Sequence, residues 1–448
     1  MNRRLWAVML SVIVVAFTAF GACAAATDVV VVGSGAAGLA AALEARQNGA
    51  EVIILEKMPF TGGTTRVAGG GLCAAGVDLQ LKYGITEDSP EVHAADMLKL
   101  GQYRNDPELV RTVAYNAKHA VDWIRANGLE LEDEVVSYMS THPRIYWCKG
   151  RGFGLAEGLA KACREAGVTV ELETRAVKLV KEDNAIVGVV AKKANGDEVV
   201  YEAKKGVVLA TGGFGENQDL FKEYAPELTG IRTNNPQGVS TGDGVLMGRA
   251  IGAKLVDMEL GRIVPMGVAI GQGAWTSAPA GLLAEGGVMV NKKGQPFLKD
   301  EQDRDLAVAI LAQPDHTGYL VFDGAVLQKV GEGSLDRIKG GGALVEGSLE
   351  AVAAKFGVDA GALQGTANKA GLKAPYYAIA IEPYIHSTTG GLAINTLAQV
   401  LDEKDDVIPG LFAAGEVTGG IQGADQKNAL IDCLVFGRIA GRNAAQGH

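Results

Sequence analysis

Gly33, Gly35 and Gly38 form a G-x-G-x-x-G run, and Glu56 stands about 20 residues further on. Glycines at that spacing allow a tight turn and let backbone N–H groups, those around Ala37 included, approach a pyrophosphate at a helix N-terminus. An acid closing the next strand accepts ribose hydroxyls. The chemistry this predicts is dinucleotide binding. Residues 57–74 then read KMPFTGGTTRVAGGGLCA, a second glycine-rich connection. An extended FAD, whose pyrophosphate and isoalloxazine ring both lie against main chain, has use for two such cradles. A nicotinamide cofactor has no general need of the second. Taken alone, the same stretch also reads as an ordinary flexible loop.

These residues need elements to hold them. Residues 27–32 are a β-branched run, 36–48 have helical composition and stop at Gly49, and 51–55 are a second apolar strand. That βαβ start predicts a parallel sheet with helices on its faces. Helical stretches follow over 89–128 and 154–167, period-two alternation runs from 168 to 203, and residues 206–210 form one more apolar strand. Between about 259 and 374 the texture changes, with a glycine-rich entry, a charged loop, a helix near 306–311 and loose segments around 331–347. After Tyr376 the β and glycine-rich character returns. The expected class is therefore α/β, a Rossmann-like FAD-binding domain (27–258 and 376–448) with an inserted α+β capping or lid domain (259–375), preceded by an export signal (1–26).

Composition bounds the rest. Hydrophobic residues make up 48% of 448 and charged residues 21%, which excludes disorder and leaves room for two domains. The 61 glycines follow no triplet period, which excludes collagen. Net charge is −10, and Arg3 and Arg4 are the only charges before Asp28. An acidic body of this kind disfavours nucleic acid and anionic membranes as partners. Residues 1–26 have a basic start, an apolar run over 5–20 and a small-residue end, the pattern of a cleaved export signal, so a periplasmic or otherwise exported protein is expected. The run is shorter than the roughly 20 residues of a membrane span. A lipidated Cys23 stays open as a route to membrane attachment. The five cysteines show neither C-x-x-C nor C-x-x-C-H, which argues against a zinc ribbon, a redox pair and covalent haem, and no metal site is expected.

Two later segments, GVVLATGGFG at 206–215 and PGLFAAGEVTGG at 409–420, join STGDG at 240–244 and HSTTGG at 386–391. In combination and order they resemble the flavoprotein subunits of the fumarate reductase and flavocytochrome c family, over about residues 27–441 and without a haem domain. The resemblance implies non-covalent FAD. It implies that Glu56 meets the adenosine ribose, that Thr64, Thr65, Gly69 and Gly70 line the flavin, and that Val177 lies on the adenine side. Asp243 and Glu416 would hold ring-proximal or ribityl groups, with Ala429 and Leu430 near the ring end. Residues 294–305, GQPFLKDEQDRD, look like the family segment whose arginine donates a proton to substrate, which places that role on Arg304. Glu285 would be its relay, and His386 would bind substrate beside Thr388, Gly70 and Lys427. Read without that register, Arg304 among Asp300, Glu301, Asp303 and Asp305 is a surface ion-pair partner, and Glu285 is a solvated loop residue.

The chain also departs from the family pattern. Val264-Pro265 stands where many relatives carry His-Pro, the stretch after Glu285 omits a second relay arginine, and residues 423–428 lack a carboxylate-clamping arginine, for which Lys427 is the available substitute. A four-carbon dicarboxylate needs two anion clamps. The reading is an exported FAD enzyme that reduces a carbon–carbon double bond conjugated to a carboxylate, recharged by a separate electron-donor protein, expected to be a cytochrome. Two alternatives stay open. One is a dehydrogenase that forms a double bond on a less polar substrate, similar to 3-ketosteroid dehydrogenases. The other is a non-catalytic, flavin-bearing electron-transfer or binding subunit.

Overall fold

The computed structural model describes residues 23–447 except 138, 139, 272, 300, 302 and 425–428. Most of the expected export signal, the side chain of Cys23 and Lys427 therefore lie outside the described residues. Strand β1 (Cys23–Val32) leads through a tight turn into helix α1 (Ala36–Gln47) and back into β2 (Val52–Leu55). Val29, Val30 and Val31 are fully buried, as a central parallel strand covered on both faces requires. β1 pairs in parallel with β2, Val29 opposite Val52, and on its other edge with the strand Glu198–Leu209, Val30 opposite Val207. The remaining strands extend the sheet to Thr169–Glu171 beyond β2 and to Val407–Ala413 and Gln399–Leu401 on the opposite side.

Glu198–Leu209 runs as one strand where the sequence suggests two pieces, 198–203 and 206–210. Ala185–Lys193 pairs antiparallel with its first half and, on its other edge, with Thr174–Glu182. The alanine-rich α1 is closed from outside by the C-terminal helix Ala429–Gln446. The two backbones nearly touch: a Cβ at Gly441 would lie 2.1 Å from the Ala41 carbonyl oxygen. The last element is thereby fixed to the first, and its N-terminus is held at the sheet's carboxyl edge.

A second apolar cluster draws on residues from Met266 to Ile381. It is built on a four-stranded antiparallel sheet in the order Val288–Val290, Gly318–Asp323, Tyr376–Ile381, Leu344–Gly347, with helices that include Asp303–Leu311 and Leu349–Phe356. This is the α+β insertion, with one correction to its boundary. Tyr376–Ile381 pairs with Gly318–Asp323 along six residues, so the insertion continues through Ile381 rather than stopping at 375. The seam between the two bodies is a small sheet in which Gly261–Val264 runs antiparallel to Tyr384–Thr388, itself parallel to Arg232–Thr233. No helix among the described residues is long and apolar enough to cross a membrane.

Candidate active site

The turn between β1 and α1 opens onto a cavity of about 520 Å³ that runs from the end of β2 to the seam. Gly33 has φ +99°, and a Cβ there would lie 2.3 Å from the Ala210 carbonyl oxygen, so no side chain fits. Glu56 anchors the turn from the end of β2. One carboxylate oxygen accepts from Ser34 N at 2.9 Å and Ser34 Oγ at 2.5 Å, and the other from Met58 N at 2.8 Å. The first helical amide, Ala36 N, donates to Thr65 Oγ1 at 3.0 Å, which ties the second glycine-rich connection to the first.

Charge is concentrated near the Glu56 end. Asp243, at the start of the helix Asp243–Ala250, accepts from Lys57 Nζ at 3.1 Å and Arg175 Nη2 at 2.7 Å. Burial pushes its carboxyl up, but Arg175 and Lys57 more than offset this and hold it below the usual range. Farther along, Glu416 accepts from Thr388 N at 2.9 Å and Thr388 Oγ1 at 3.3 Å. Burial raises the Glu416 carboxyl to about 7 in spite of those bonds, with the Asp432 carboxyl nearby adding to the rise.

At the seam His386 faces the cavity beside Arg262 and Ser387. Asn234 Nδ2 lies 3.2 Å from His386 Nδ1. With Asn234 donating, the neutral ring carries its proton on Nε2. Burial, helped by the charge of Arg262, lowers His386 to about 4, so the ring is neutral at physiological pH. Asn234 Oδ1 and Ser387 Oγ are buried without any partner. Unpartnered polar atoms of this kind at a cavity wall carry a desolvation cost that a ligand would remove.

Of the residues expected to form the cofactor site, Gly33, Gly35, Ala37, Glu56, Thr64, Thr65, Gly69, Gly70, Asp243, Glu416, Ala429 and Leu430 all line this one cavity. Gly38 instead packs behind the turn, where a Cβ would lie 2.0 Å from Gly33 O. Val177 is a correction. Its side chain is 41% exposed at an irregularity in the ladder between Ala176 and Lys178, while Thr174, Arg175 and Ala176 line the wall. Asp243 lines the wall close to Lys57, the residue after Glu56.

The expected catalytic group is only partly assembled. His386 and Gly70 line the cavity, but Thr388 is fully buried behind it and supports Glu416. Arg304, at the start of the helix Asp303–Leu311, is one-third exposed and bonds Glu227 at 2.5 Å. Glu285 pairs with Lys329 at 3.2 Å. Neither lines the cavity, and Lys427 lies outside the described residues. Sequence reasoning gave no role to Arg262, Asn234, Arg175 or Lys57; only Lys57 stands in a quoted segment, at the head of 57–74.

A family model described as FAD binding domain matches residues 28–430. The chain belongs to that family. It is 36% identical to the fumarate reductase (cytochrome) of Shewanella frigidimarina, over 94% of this chain and 77% of that protein. It is 35% identical to the urocanate reductase of Eggerthella lenta, over 93% and 74%. A solved structure titled as the open conformation of a flavocytochrome c3 fumarate reductase superposes with a TM-score of 0.84 at 35% identity, covering 95% of this chain and 79% of that one. The protein is thus an FAD-dependent oxidoreductase of the fumarate reductase-like group that acts on carbon–carbon bonds. The cavity suits FAD: a Cβ at Gly212 on its wall would meet nothing within 4 Å, so glycine there leaves backbone open to a ligand, and two polar atoms wait unpartnered.

Proposed function

We propose that the chain reduces a carbon–carbon double bond conjugated to a carboxylate, at the seam end of the cavity. The observation that carries this reading is the continuity of one cavity from the Glu56 turn to a polar seam bearing His386, Asn234 and Arg262. Bound FAD would supply the hydride. The chain would supply the remainder. Neutral His386 would donate its Nε2 proton in a hydrogen bond to the activating carboxylate, where charge grows as the double bond is attacked. Arg304 would deliver a proton to the neighbouring carbon, and Glu285 would restore it. A guanidinium, with a pKa above about 12, is a poor acid by Brønsted matching, so it needs that relay and the pull of the developing charge.

For this, Arg304 must exchange Glu227 for substrate. Glu227 belongs to the FAD-binding body and Arg304 to the insertion, so the pair spans the two bodies and breaks when the insertion shifts. The likeness to a structure titled as an open conformation supports an insertion that moves. We further propose that the protein is exported and that a separate protein, a cytochrome, supplies its electrons.

The test is to reduce the FAD-loaded protein chemically without oxygen and add a panel of unsaturated acids. Reoxidation of the flavin by at least one of them is expected. A panel that leaves the flavin reduced defeats the reading. FAD should also be held without a covalent bond, because the part of the glycine-rich connection 57–74 that lines the cavity has no histidine, cysteine or tyrosine, although His386 and Cys433 line it elsewhere. Acid precipitation should leave all flavin in the supernatant, and flavin retained on peptides would refute it.

A further inference from the structure

We propose that Arg262 anchors the substrate's carboxylate and that the substrate is an unsaturated monocarboxylate rather than a dicarboxylate. The inference rests on the reductase reading and adds the substrate class. Among the described residues three cationic side chains line the cavity: Lys57, Arg175 and Arg262. Two are already committed, since Lys57 and Arg175 both bond Asp243. Arg262 has no carboxylate partner among the described residues. It is held on Gly261–Val264, directly opposite Ser387 in the antiparallel register, so its backbone lies one position from His386 on the paired strand.

The polar groups that share the seam wall with Arg262 are neutral. His386 is kept uncharged in part by the Arg262 charge itself, and Asn234 and Ser387 are neutral with unpartnered polar atoms. A half-buried guanidinium without a counter-ion is costly, and a ligand carboxylate removes that cost while taking two parallel N–H bonds. Among the described residues one lining cation is unpaired and matches one carboxylate, with Arg304 engaged at the neighbouring carbon. The other cavity walls include Ile145 and Val136, which offer a second carboxylate neither charge nor hydrogen bond, and Trp147 and Ser137, which offer neutral donors but no cation. Among the described residues a dicarboxylate would find no second unpaired cation there, and would set one end against neutral groups or Glu416.

Crotonate and fumarate make the discriminating pair, because they share a four-carbon skeleton and differ by a methyl group in place of a carboxylate. Each is titrated into the oxidised, FAD-loaded protein, and binding is read from the perturbation of the flavin absorbance, with no turnover required. Crotonate is expected to bind at least about tenfold more tightly than fumarate. Arg262→Gln should weaken crotonate by about tenfold or more while the FAD content stays at the wild-type ratio, and Arg262→Lys should recover part of the loss. Fumarate binding as tightly as crotonate, no binding of either acid, or an Arg262→Gln protein with full FAD and unchanged crotonate affinity would each overturn the proposal. If crotonate binds as expected yet no acid reoxidises the reduced flavin, the reductase reading fails and the anchor stands. If acids reoxidise it and fumarate binds best, the reverse holds.

Discussion

Arg304→Ala is expected to keep its full complement of FAD and to lose at least about a hundredfold in turnover. Removing a positioned general acid typically costs between about a hundredfold and ten-thousandfold. Cofactor retention follows from position, since Arg304 lies in the insertion and does not line the cavity. The ground-state contact with Glu227 supplies a control. If Arg304 only joins the two bodies, Arg304→Ala and Glu227→Gln remove the same partly exposed ion pair. Each would then cost at most about 1 kcal/mol and leave the rate near normal. If Arg304 is the acid, the two variants separate: Glu227→Gln frees the guanidinium and retains turnover, while Arg304→Ala does not. Arg304→Lys should recover little, because the planar fork and high basicity are lost together. Steady-state reoxidation with any accepted acid makes the measurement. Near-normal turnover in Arg304→Ala would remove the proton-donor role from this residue.

What could be read from the sequence follows the distance over which each signal acts. The turn from Gly33 to Gly38 and the acid at Glu56 were legible because strand, helix and strand are consecutive, and the bonds from Ser34 and Met58 to Glu56 close within that unit. Ala429 and Leu430 were reached only through the family resemblance. Arg262 left no such trace. One arginine in a short strand acquires meaning only when Gly261–Val264 pairs with Tyr384–Thr388 more than a hundred residues later. Asn234 becomes informative only through His386 Nδ1. The insertion's end was misplaced because the alternation of Tyr376–Ile381 announces a strand but not its partner, and the partner proves to be Gly318–Asp323. Val177 shows the opposite failure, a correct strand whose register shift between Ala176 and Lys178 could not be read from its alternation.

Glu416→Gln should stabilise the FAD-free protein at pH 8 and weaken its hold on FAD. The Glu416 carboxyl rises from an ordinary 4.5 to about 7 in the folded chain, chiefly through burial. Below about 4.5 the group is protonated in both folded and unfolded chains, and its contribution to stability is fully present. Between about 4.5 and 7 the unfolded chain gives up the proton while the folded chain keeps it, so stability falls as pH rises, and above 7 the loss is complete. A shift of that size corresponds to about 3 kcal/mol at most, since each unit is worth about 1.4 kcal/mol. Glu416 is partly open to the cavity, so about 1–3 kcal/mol is the expected gain at pH 8, with little at pH 4.5. An amide carries no charge at either pH, and its carbonyl can still accept from Thr388 N. Asp432, also raised to about 7 by burial, should then ionise more readily. The two buried histidines act with the opposite sign. His93 and His386 are lowered to about 4, so their contribution is present above about 6.5 and is lost as pH falls toward 4. They are unchanged by the substitution and cancel when variant and wild type are compared at each pH. Urea unfolding of the FAD-free proteins at pH 4.5 and 8 isolates the Glu416 contribution. FAD affinity at pH 8 should fall by roughly tenfold, the effect of losing one charge-assisted hydrogen bond. Equal stability of the two proteins at pH 8 would mean that Glu416 is solvated in the folded chain, and unchanged FAD affinity would mean that its carboxylate does not touch the cofactor.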